Sequence, residues 1–161
     1  MNAVSDHGGG FTLIELVVTL AILGMLSTVA LPMAEVAVQR GKEQDLNAAL
    51  RQIRDAIDAY KQAYDEGHII KKVGDSGYPP TLEILVQGVN DALSQKDQKL
   101  YFMRRLPRNP FVSDSSIAAA GTWGKRSYAS SADDPQEGDD VFDVYEQVPG
   151  KGLNGIPYRE W

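Results

Sequence analysis

From Leu16 to Ala34 the chain runs through nineteen residues, LVVTLAILGMLSTVALPMA, without one charged side chain. Phe11 to Ile14 extend this stretch on the other side of Glu15. At 1.5 Å per residue, about 20 helical residues span the roughly 30 Å hydrocarbon core of a bilayer. A buried core helix is rarely apolar all round. A cleaved secretory signal has a basic start, a shorter apolar region and a small-residue cleavage site after it. Here Pro32 leads straight into an amphipathic pattern, so residues 11–34 are expected to form a membrane anchor that stays with the chain. Pro32 cannot donate to the carbonyl of Thr28. In lipid that loss has to be covered by neighbouring helices or by hydroxyls such as those of Ser27 and Thr28.

From Glu35 onward a stripe emerges. Leu46, Ala49, Leu50, Ile53, Ala56, Ile57, Tyr60, Ala63 and Tyr64 recur at helical spacing. Lys42, Asp45, Arg51, Arg54, Asp55, Asp58 and Lys61 occupy the other positions. Gly67 is a stop signal. The spacing therefore predicts one helix from about Phe11 to about Glu66, roughly 80 Å long, its first half suited to lipid. The second half must lay its stripe on a core, and the residues that follow are the source of one.

Beyond Gly67 the signals are shorter. Residues 68–77 are a polar loop, and Tyr78-Pro79-Pro80 is an extended turn, because a residue before proline avoids the α region. Thr81–Val89 reads as a short helix with Leu82, Leu85, Val86 and Val89 on one face. Leu100–Leu106 fits a short strand or a helix. Pro107 and Pro110 enforce irregular chain. Trp123–Ala129 and Val141–Glu146 read as strands around an acidic loop. The organisation expected is thus a small, polar, glycine-ending stretch (1–10), a transmembrane helix (11–34), its amphipathic continuation (35–66) and an α/β head (67–161).

Composition removes several kinds of chemistry. There is no cysteine, so there are no disulfides, thiolate metal sites or cysteine nucleophiles. The two histidines, His7 and His68, lie far apart in the sequence. A net charge of −6 argues against a nucleic-acid partner. Gly150-Lys151-Gly152-Leu153-Asn154-Gly155 matches GxGxxG, but too little chain follows to open a phosphate-binding helix, so it reads as a glycine-rich turn. No GxSxG or HExxH run appears, and no catalytic constellation emerges.

At Gly10-Phe11-Thr12-Leu13-Ile14-Glu15, ahead of the uncharged stretch, the sequence resembles the class III signal of type IV pilins and pseudopilins. The resemblance implies cleavage after Gly10 by a prepilin peptidase, and methylation of the new amine on Phe11. Glu15 is the one formal charge between Asp6 and Glu35, and a carboxylate at membrane depth costs about 2.5–3.5 kcal/mol on insertion scales. In the family such a glutamate pairs with a neighbouring subunit's α-amine, which makes Glu15 an assembly residue; snorkelling to the surface is its structural alternative. Gly24 and Thr28 form a small-xxx-small pair. In related filaments the segment between a glycine like Gly24 and a proline like Pro32 unwinds, and the resemblance implies the same here.

Downstream, Gly77-Tyr78-Pro79-Pro80-Thr81-Leu82-Glu83, Leu106-Pro107-Arg108-Asn109-Pro110-Phe111, Trp123-Gly124 with Tyr128, Phe142-Asp143-Val144-Tyr145 and the final Trp161 resemble the major pseudopilins of type II secretion. The fold implied is α+β and type IV pilin-like, a long N-terminal helix on a small C-terminal antiparallel sheet. The function implied is a non-enzymatic subunit that polymerises into a periplasmic pseudopilus. Its implied partners are copies of itself, minor pseudopilins, the prepilin peptidase and an inner-membrane assembly platform. The implied location is the inner membrane, crossed once, with the head in the periplasm. A type IV pilin or minor pilin is the alternative, and a signal-anchored periplasmic enzyme is a second.

Three departures stand out. Residues 112–122 are inserted between Phe111 and Trp123. Residues 1–10 carry no lysine or arginine, unlike the usual leader. The calcium loop of major pseudopilins follows the FDxY strand and is rich in aspartate, whereas Gln147-Val148-Pro149-Gly150-Lys151-Gly152 has no acid and one lysine. The acids lie earlier, and Asp133, Asp134, Asp139 and Asp140 are the calcium candidates, with a solvated acidic loop as the alternative. The expectation is a head that requires no cofactor.

Overall fold

A computed structural model describes residues 11–161; the leader, with Gly10, lies outside the described residues. Two compact units divide the chain, Met1–Gln39 and Arg40–Trp161. Helix α1, Leu13–Asp65, contributes to both and contains Pro32. It ends where Gly67 adopts φ +88°. There the Gly67 amide donates to the Tyr64 carbonyl (3.1 Å) and the His68 amide to the Ala63 carbonyl (2.9 Å). That pair of bonds is the Schellman closure, which satisfies carbonyls the helix would otherwise leave open.

In the Arg40–Trp161 unit, the stripe on α1 is the floor of the core. Leu46, Ala49, Leu50, Ile53, Ala56, Ile57 and Tyr60 are all buried, while Ala63 and Tyr64 are half-buried. Leu82, Leu85, Met103, Leu106, Ala120, Trp123, Val141, Val144 and Tyr158 complete the cluster. A short α2 (Ile84–Gln87) and two small antiparallel ladders supply these side chains. Strand β1 (Val89–Asn90) pairs with β2 (Lys99–Leu100), and β3 (Gly124–Arg126) with β4 (Asp143–Tyr145). The fold is the type IV pilin-like α+β arrangement. The expected Thr81–Val89 helix shrinks to one turn, because Gly88 at φ +74° ends it. After Leu100 the chain is irregular up to the prolines, as the Phe102 and Met103 amides turn to the Leu85 carbonyl. The expected strands shorten to three residues each.

Buried polar groups fix the loops to this core. Trp123, fully buried, donates from Nε1 to the Pro107 carbonyl at 2.9 Å. Asn109 closes the inserted segment at its base: Nδ2 donates to the Thr122 carbonyl (3.1 Å), and Oδ1 accepts from the Phe111 amide (2.9 Å). Arg108 donates to the Asp114 and Ile117 carbonyls within the insertion. The tyrosine-proline turn docks through the Val141 amide, which donates to the Pro79 carbonyl at 2.8 Å. Tyr78 packs edge-on against Phe142 with ring centroids 4.9 Å apart. Gly124 leaves room for the Tyr145 ring, which a Cβ there would meet at 2.5 Å.

A matched pair of substitutions tests this division. Ile53→Ala should cost the cooperative unfolding of the head about 2–5 kcal/mol, as a buried aliphatic truncation does. Ile22→Ala, on an exposed position of the same helix, should leave that transition unmoved. Thermal unfolding of the full chain in detergent, followed by near-UV circular dichroism, measures both.

Candidate functional site

The N-terminal segment is built by its own first turn. Thr12 precedes α1, and Oγ1 accepts the Glu15 amide at 3.3 Å, while its carbonyl accepts the Leu16 amide at 3.1 Å. Thr12 is thereby the N-cap and Glu15 the third helical residue, the spacing of a capping box. An acid in the first turn also complements the positive end of the helix dipole. The residue that resemblance marks for assembly is therefore also a favourable helix starter.

The rest of the segment satisfies its polar groups internally. Thr19, Ser27 and Thr28 donate their hydroxyls to the carbonyls of Leu16, Leu23 and Met25, at 2.9, 2.8 and 2.7 Å. Hydroxyls bound to their own helix can enter hydrocarbon at little cost. Phe11, Leu13, Leu20, Leu23, Leu26 and Leu31 are all more than half exposed. Helix α1 is long and apolar enough to cross a membrane, and none of its most apolar window is buried within the chain. It runs unbroken through Gly24 and Pro32, and nothing lies within 4 Å of the position a Gly24 Cβ would take.

A second group of contacts ties the end of the chain to α1. Arg54 donates from Nε to Asp143 Oδ1 at 2.8 Å. Its Nη2 donates to the carbonyls of Val144 (3.0 Å) and Trp161 (2.8 Å). One guanidinium thus holds both β4 and the last residue. Glu43, buried, accepts at Oε1 from the Leu153 amide (2.9 Å) and from the Tyr158 hydroxyl (2.8 Å). Sequence reasoning placed Arg54 among the solvated positions of α1 and singled out neither residue. Their only signal was a charge next to the stripe, and which partner it meets depends on residues about 90 to 115 positions away.

The acidic run does not converge. Asp140 Oδ1 accepts the Tyr128 amide (2.8 Å) and Asp134 Oδ1 accepts from Gln136 (2.9 Å). Asp133 and Asp139 are exposed, and Glu137 pairs with Lys125 at 3.3 Å. Among the described residues no group of three or more His, Cys, Asp or Glu side chains is placed to hold a metal ion. Elsewhere, His68 Nδ1 lies 2.9 Å from Asp91 Oδ1. That contact, followed by the Leu93 amide, holds the Asp91 carboxyl below the usual carboxylate range. The pair joins the end of α1 to the β1–β2 hairpin.

Residues 8–31 match the prokaryotic N-terminal methylation motif. Over 138 residues the chain is 28% identical to the type II secretion system core protein G of Klebsiella pneumoniae, covering 82% of this chain and 91% of that one. The protein of the same name from Dickeya chrysanthemi is 25% identical over 91% of this chain and 94% of its own length. The one from Pseudomonas aeruginosa is 29% identical, covering 80% and 86%. No solved structure matches the chain. The capped apolar helix carries the prokaryotic N-terminal methylation motif, and the chain as a whole is similar to type II secretion system core protein G over most of its length.

Proposed function

We propose that this chain is a pseudopilin of type II secretion, a structural subunit and not an enzyme. It is held in the inner membrane by α1 with its head in the periplasm, and it polymerises into a helical filament. The observation that carries the proposal is the exposed apolar face of α1 around the single acid, Glu15. Such a face is covered either by lipid or by the same helix of other subunits. A heterologous contact repeated along a screw axis produces a filament. Similarity to the secretion core protein G supports secretion over the type IV pilin alternative.

Within that filament, Glu15 pairs with the α-amine of a neighbour's Phe11, which cleavage after Gly10 by a prepilin peptidase creates. Gly24 offers the small surface on which another helix can close, and Pro32 the point where backbone hydrogen bonding is already interrupted. Minor pseudopilins and an inner-membrane assembly platform are the other partners.

Two measurements test the proposal. Mass spectrometry of the N-terminal peptide from membrane-extracted protein should give a methylated Phe11 as the first residue; an intact leader in assembled material would overturn the processing step. In the second, Glu15→Leu should still insert, since it removes a cost of about 3 kcal/mol from the membrane segment. It would leave the neighbour's amine buried without its partner, at about 3–5 kcal/mol per contact. Crosslinked oligomers recovered from membranes should fall at least tenfold, and an unchanged yield would sink the pairing.

A further inference from the structure

In the family this chain resembles, a calcium ion belongs to the aspartate-rich loop after the FDxY strand. The corresponding residues here do not fit one, and their hydrogen bonding shows why. A cation site needs six to eight oxygens turned toward one point. The loop after β4 instead turns donors inward. The Leu153 amide and the Tyr158 hydroxyl converge on one oxygen of Glu43, an anion supplied by α1.

Four carbonyls of this loop are already engaged. Gly150 O accepts the Tyr158 amide (3.2 Å), Gly152 O the Gly155 amide (2.8 Å) and Ile156 O the Gly152 amide (2.9 Å). Trp161 O accepts from Arg54. Lys151 and Arg159 both lie within this loop and Glu160 is its one acid, so the stretch carries net positive charge where ligands would be required. Packing reinforces the closure. Tyr158 packs at a tilt against Phe111 and edge-on to Trp161, with centroids at 4.7 and 5.1 Å. Gly152 lies under the Trp161 ring, where a Cβ would collide.

One group points the other way. Glu146 is buried, its Oε1 accepts the Val148 amide (2.7 Å), and its Oε2 has no hydrogen-bond partner among the described residues. It borders a cavity of about 530 Å³, shared with Asp134 and Arg159. Two carboxylates beside a guanidinium fall short of a calcium cage.

We propose that in this chain a carboxylate of the helix replaces the divalent cation: Glu43, seconded by Arg54, locks the C-terminal loop 150–161, and the loop takes no calcium. The proposal concerns the single subunit, so its test is independent of whether the chain forms filaments.

The test uses the unassembled full chain in detergent, with calcium chloride in excess and then with chelator. Thermal unfolding should be the same in both. A cation bound at about 100 times its Kd would raise Tm by roughly 5–10 °C, and such a rise would overturn the proposal. Should that rise vanish in Glu146→Gln, the ion would be placed beside Glu146. Hydrogen exchange reads the lock itself. In Glu43→Ala the Leu153 amide should exchange roughly tenfold faster, the order expected for losing a bond to a charged acceptor, while the Trp123 region stays protected. Glu43→Gln keeps a neutral acceptor and should give a smaller acceleration of the same amide, so the lock remains measurable if the alanine variant fails to fold. Unchanged exchange at Leu153 in the glutamine variant would equally overturn it.

Discussion

The Arg40–Trp161 unit depends on the burial of one face of α1. Its sheets are too small to be stable alone, since ladders of two and three residue pairs need a covering hydrophobic layer. The helix provides that layer, with seven buried side chains from Leu46 to Tyr60. Trp123, Val144, Leu82 and Leu85 come down onto it from loops and strands far apart in sequence. Most of the head is irregular chain, and it holds its shape because buried polar groups such as Asn109 and Thr122 bond the loops to one another.

The Met1–Gln39 unit obeys a different constraint. Among its described residues no core compensates a polar group, and each hydroxyl of Thr19, Ser27 and Thr28 returns to its own backbone. Against that background Glu15 is the exception. Its place in the first turn favours the helix, and its charge disfavours an apolar surround.

Much of this was legible in the sequence because period and length carry it. The stripe Leu46–Tyr60 follows from 3.6-residue spacing, and the stop at Gly67 from its need for positive φ. The prolines predict the turn at Tyr78-Pro79-Pro80, while its docking beside β4 had no signal in the sequence. What escaped has a common cause. The β1–β2 hairpin, two residues on each side, has no alternation long enough to detect. The 3-10 turns at Ala119–Thr122 and Tyr158–Glu160 are likewise too short for periodicity. Arg54 and Glu43 looked like members of a solvated face, because one sequence cannot show that a charge next to a stripe faces a loop folding back from the end of the chain.

Those two residues also fix how the end of the chain sits on α1. Eleven positions separate Glu43 from Arg54, which is about three helical turns, so both project from nearly the same side of α1. Glu43 takes donors from Leu153 and Tyr158, and Arg54 gives donors to Asp143, Val144 and Trp161. Opposite charges therefore read opposite polarities of one returning segment, and sliding that segment along the helix would break both sets of bonds together. Residues 113–118 are an exposed excursion bonded to Arg108, whereas Ala120 and Thr122 belong to the buried core. The register of the end of the chain is set by α1 and not by that excursion.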